Sequence, residues 1–88
     1  MRVTVVHAGG DEYTVSVEDR TTHTVSAPES ALRRLLNPGE SPEDGLVRVF
    51  RFLLDREPPE SILRRFAVDD VQRYFPEFWS EVGARRGG

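Results

Sequence analysis

Apolar and polar positions along this chain change period once. Through residues 2–7, RVTVVH, Val3 and Val5 fall on one side and Thr4 on the other, and residues 13–18, YTVSVE, repeat the alternation with Tyr13, Val15 and Val17. A period of two predicts half-buried strands. Between them AGGDE places adjacent glycines where a hairpin turn needs positive φ. A third run, TTHTVSA, follows the polar turn Glu18-Asp19-Arg20 and is rich in β-branched residues. The pattern predicts a three-stranded antiparallel meander with one wet face.

From Pro28 the period becomes helical. Ala31, Leu32, Leu35 and Leu36 make a stripe, Arg33 and Arg34 face away from it, and Asn37-Pro38-Gly39 supplies the stop. Ser41 is placed as an N-cap with Pro42 as first helical residue. The helix they open, about 42–56, carries Leu46, Val47, Phe50, Leu53 and Leu54, widened by Val49 and Phe52, and so reads as a largely buried central helix. Pro58 then disfavours helix at Glu57, Pro59 presets a new first turn, and Ile62, Leu63 and Phe66 predict a second, short helix. A further segment starts at Asp69, with Gln72 as capping partner and Val71, Tyr74 and Phe75 as its apolar face. Pro76 opens the last helix, where Phe75, Phe78, Trp79 and Val82 recur at helical spacing before Gly83. The fold class is therefore α+β: an N-terminal three-stranded antiparallel β-meander followed by four or five short α-helices. It forms a single domain over residues 1–84, with the sheet part in 1–27, the helical part in 28–83 and a flexible tail in 84–88.

A chain of 88 residues has room for one domain and buries only somewhat more than about 60% of its unfolded surface. With no cysteine, disulfides, thiolate nucleophiles and Cys-ligated metal sites are excluded. The start, MRVTVVHAGG, breaks its apolar run at His7, and no run of about 18 apolar residues occurs, so the cytoplasm is the expected compartment and no membrane partner is expected. Net charge is −3, and neither half is a polycation: residues 1–44 hold four arginines against eight acids, residues 45–88 eight against seven. That balance weakens a nucleic-acid reading, which needs clustered cations. All twelve basic residues are arginine, a feature that coding bias explains before function does.

Few residues suggest chemistry. His7 and His23 share a phase, but on the first and third strands of a meander they stand about 10 Å apart, too far for one ion bound at about 2 Å per ligand. Gly9-Gly10 leads into a strand rather than a helix N-terminus, so it is a turn and not a phosphate loop. Asp69-Asp70 falls where a helix wants a cap and a negative first turn. No nucleophile motif is present in sequence order, and neither a cofactor nor a metal is expected.

FRFLLDREPPESILRRF (residues 50–66) together with RYFPEFW (73–79) resembles a recurrent signature of short uncharacterised bacterial proteins, F-x-FLL-x-REP-x-x-SIL-x-x-F followed by YFPE-[FY]. The resemblance covers about residues 46–79 and implies a bacterial, stand-alone domain. No activity is established for that family, so it carries over no catalytic or binding residue. The expected function is a non-catalytic protein-interaction or regulatory module that binds an unknown protein partner or itself. Its candidate surface is the charged corner Arg56, Glu57, Glu60, Arg64 and Arg65 with Phe78 and Trp79, drawn from a surplus of aromatics that so small a chain cannot wholly bury. The alternative is a nucleic-acid-binding regulator with a helix-turn-helix-like pair at 59–75, in which Arg64, Arg65 and Arg73 meet phosphates; five neighbouring acids count against it. An enzyme ranks third.

Overall fold

The strands form where alternation placed them. In the computed structural model, which describes residues 1–84, β1 (Val3–Gly9), β2 (Glu12–Val17) and β3 (Thr21–Ser26) make an antiparallel meander. Pairing of Val3 with Val17, Val5 with Val15, Tyr13 with Val25 and Val15 with His23 puts the apolar alternates on one face. The other face carries Thr4, Thr14, Ser16, Thr22 and Thr24, none of them buried. Gly9 and Gly10, at φ 109° and 53°, turn the first hairpin, and a register shift between His7 and Gly9 absorbs an extra residue. The second turn has Glu18 at φ 52°, where its N–H donates to Arg2 O at 2.9 Å and its carboxylate accepts Arg2 N–H at 3.0 Å. These bonds to Arg2, the residue before β1, hold a conformation that a glutamate rarely adopts.

Among the described residues four helices follow: α1 (Glu29–Leu35), α2 (Pro42–Leu54), α3 (Val71–Tyr74) and α4 (Phe78–Val82). Ser41 Oγ accepts Asp44 N–H at 3.1 Å, and Pro42 fills the first turn where no N–H is needed. Helix α2 packs on β1 and buries Leu46, Val49, Phe50, Phe52 and Leu53. Val15, Val17, Val25, Leu35, Leu46, Val49, Phe50 and Phe78 retain no exposed surface and form the centre of the core, each such side chain contributing about 1.5–3 kcal/mol by leaving water. No helix among the described residues is long and apolar enough to cross a membrane.

The sheet is larger than expected. Residues 59–66 do not form a helix: Pro59–Ser61 make one 3-10 turn, Ile62 is extended, and β4 (Arg65–Ala67) joins the sheet parallel to β3. The result is a four-stranded mixed sheet in the order β1-β2-β3-β4. The i, i+4 spacing of Ile62 and Phe66 fits a period of two as well as one of 3.6; both side chains are buried, but Leu63, Arg64 and Arg65 between them are all exposed, because bends at Ile62 and Arg64 break strict alternation before the short strand begins. Backbone demand decides between the two. Arg64 O accepts Thr24 N–H at 2.7 Å and Leu63 O lies 2.8 Å from His23 Nδ1, acceptors that a helix would have consumed internally. A second 3-10 turn, Val68–Asp70, leads into α3, and Asp70 rather than Asp69 supplies the cap, accepting Ala67 N–H at 3.3 Å. Of the expected tail at 84–88, Ala84 is tied down, its N–H donating to Arg34 O at 2.7 Å, and 85–88 lie outside the described residues.

Candidate functional site

The corner after α2 and the strand that follows it create a groove. Two prolines end the helical path, the chain doubles back through Ser61 and Ile62, and α3 closes the far side. Between them lies a hollow of about 280 Å³. Its buried members Leu53, Ile62, Phe66 and Val71 make an apolar floor. Its rim is apolar too, with Leu63 53% and Tyr74 67% exposed and Phe75 half-buried beside them. Large apolar side chains held in water at the lip of a concave apolar surface are the feature most in need of a reason.

Two carboxylates line the same groove. Asp70 is engaged, with one oxygen on Ala67 N–H and the other 3.9 Å from Arg73. Glu57 is half-buried, and its carboxylate has no hydrogen-bond or ion-pair partner among the described residues.

The expected surface residues separate. Glu57 alone of them lines the groove. Arg56 is an internal clamp: it donates to Phe52 O at 3.0 Å, to Glu77 at 3.2 Å and to Glu81 at 3.1 Å, with its guanidinium 3.6 Å above the Phe52 ring. Desolvation disfavours the Arg56 cation, but hydrogen bonds to Glu77 and Glu81 outweigh it and hold its pKa above the ordinary arginine value. Glu60 is tied to Arg20 through two bonds of 2.9 and 2.8 Å, linking the corner to the β2–β3 turn. Arg64 is exposed and is used through its backbone carbonyl, and Arg65 pairs with Glu12 at 3.0 Å on the open sheet face. Phe78 is wholly buried and is a core residue, not a contact surface, because α4 turns it into the rings of Phe52 and Trp79 at 5.3 and 4.8 Å. Trp79 is half-buried under Arg34, whose guanidinium sits 4.2 Å from its ring, and its Nε1 is enclosed without a hydrogen-bond partner among the described residues.

Leu63, Tyr74 and Phe75 went unread as surface because helical spacing assigned them to the core. The density of aromatics from Phe66 to Trp79 did signal an excess, but periodicity alone pointed to the wrong members of it. With no helix between Ser61 and Val68 and a strand at Arg65–Ala67, the helix-turn-helix outline at 59–75 is not formed.

The two histidines have separate partners. His7 Nε2 lies 2.7 Å from Gly10 O at the hairpin, while His23 is fully buried against Phe50. His23 donates Nδ1–H to the Leu63 carbonyl, which leaves Nε2 to accept the Thr21 hydroxyl at 2.8 Å. That hydroxyl–imidazole–carbonyl chain has the order of a nucleophile, a base and an orienting group, but Thr21 and His23 are both sealed from solvent. Among the described residues no group of three or more His, Asp or Glu side chains could hold a metal. In comparison with known proteins, the chain matches no family model, no curated protein and no solved structure.

Proposed function

We propose that this chain is a non-catalytic protein-interaction module and that the groove between the Pro58-Pro59 corner and α3 is its binding surface. One observation carries the reading: Leu63 and Tyr74 stand in water on the rim of an apolar hollow whose floor is continuous with the core. The hollow's volume lies at the foot of the range that encloses small molecules, about 300–1,000 Å³, so it suits anchoring side chains of a partner better than a cofactor. A bacterial, cytoplasmic setting is part of the proposal and rests on the sequence resemblance.

The test is a tagged pull-down from a bacterial lysate treated with nuclease, comparing the natural chain with Leu63→Asp and Tyr74→Asp. The expected result is a stoichiometric protein band that survives nuclease and is lost in both variants. A band that both variants retain places the surface elsewhere. Material that disappears with nuclease turns the reading toward nucleic acid.

A further inference from the structure

The groove's own shape and charge narrow what it takes. A strand is poorly served, because β4 is only three residues long and Asp70 already holds the N–H of Ala67 at its end, leaving little of a free edge for pairing. The floor is aliphatic as much as aromatic, with Leu53, Ile62 and Val71 buried beneath the rim. Aliphatic anchors from one face of a helix, one turn apart, fill such a hollow. In the same lining stands Glu57, half-buried and without a partner for its carboxylate among the described residues, while the other lining carboxylate is engaged by Ala67 N–H. An unpaired carboxylate on the lining of an apolar groove offers a charge-assisted bond to a cation brought by a partner.

Resting on the interaction reading, we infer that the groove receives the apolar face of a short amphipathic helix of another protein, with a lysine or arginine beside its anchors that pairs with Glu57. Tyr74 and Leu63 close over the anchors, and Glu57 sets the register and polarity of the helix.

A phage-displayed library of random peptides, selected on the immobilised full chain and in parallel on its Glu57→Lys variant, tests this. Peptides selected on the natural chain should carry paired apolar residues at helical spacing next to Lys or Arg. They should bind about tenfold more weakly to Glu57→Gln, the effect of losing one charge-assisted hydrogen bond, and lose binding to Tyr74→Asp. Selection on Glu57→Lys should enrich acidic residues at the same place. Tyr74-dependent peptides with no basic preference, or extended proline-rich ones, would overturn the inference and leave the groove reading standing. Enrichment only of peptides indifferent to Leu63→Asp and Tyr74→Asp, or no enrichment at all, would overturn both. Concentration-dependent dimerisation abolished by Leu63→Asp, seen by sedimentation, would make a second copy the occupant in place of a foreign helix.

Discussion

His23 Nδ1 sits 2.8 Å from the carbonyl oxygen of Leu63, so a fully buried imidazole on β3 fastens the segment that carries the groove's rim. The bond gives the Leu63 carbonyl a partner outside any helix, while burial of the ring disfavours its charged form. Desolvation by burial, the largest influence, pushes the His23 pKa below its ordinary value; the bond to Leu63 opposes it and the nearby Arg64 charge adds to it. Because the folded state resists a proton that the unfolded chain accepts at about 6.5, this contribution is complete above that pH and shrinks as pH falls below it. Urea midpoints taken from pH 8 to pH 5 should decline below about 6.5, and a His23→Gln variant should lack that part of the profile. A natural chain with flat midpoints across this range would contradict the burial argument. Glu40 and Glu60, held below the ordinary carboxylate range, lose their contributions only at lower pH, as it falls through and below that range, so the two windows are separable.

Arg48 joins three elements and should matter more than its half-exposed position suggests. It donates Nη2–H to Leu35 O at 2.5 Å and Nε–H to Val82 O at 3.1 Å, the last carbonyls of α1 and α4, and pairs with Glu40 through Nη1. Helix ends leave such carbonyls without intrahelical partners, and a guanidinium is suited to serve several at once. Arg48→Met, which keeps much of the apolar stem, should cost about 2–3 kcal/mol by chemical denaturation. A cost within about 0.5 kcal/mol, the range of an ordinary surface change, would show that water replaces it without penalty.

Core and groove should respond oppositely to truncation. Phe78→Ala removes a wholly buried ring and should destabilise the fold by about 3–5 kcal/mol. Tyr74→Ala removes an exposed one and should stay within about 0.5 kcal/mol. Thermal melts of the two variants check this directly, and a large loss for Tyr74→Ala would mean that the groove is structural.

The start of α2 depends on one hydroxyl. Ser41→Ala deletes the acceptor for Asp44 N–H and should cost about 1 kcal/mol, while Ser41→Asp should restore most of it. Denaturant midpoints of the two variants measure the difference.

The alternation of Val3, Val5, Tyr13, Val15, Val17 and Val25 determined three strands and their buried face, because a period of two leaves only one side able to reach a core. Ser41-Pro42 and the wide stripe from Leu46 to Leu54 likewise determined the central helix, since cap chemistry and helical period are local properties of the chain. Residues 62–67 were different. Ile62 and Phe66 stand four apart, a spacing that both periods accept, and their conformation was decided by a donor on β3 and a buried histidine ring some forty residues earlier in the chain. The groove followed from that choice. With Ile62 turned in to the floor, Leu63 is left facing out and Tyr74 stands exposed on the same rim, so a surface that local pattern assigned to the core opens to solvent. Periodicity says which side chains share a face. Where a carbonyl finds its donor is settled only when distant segments meet.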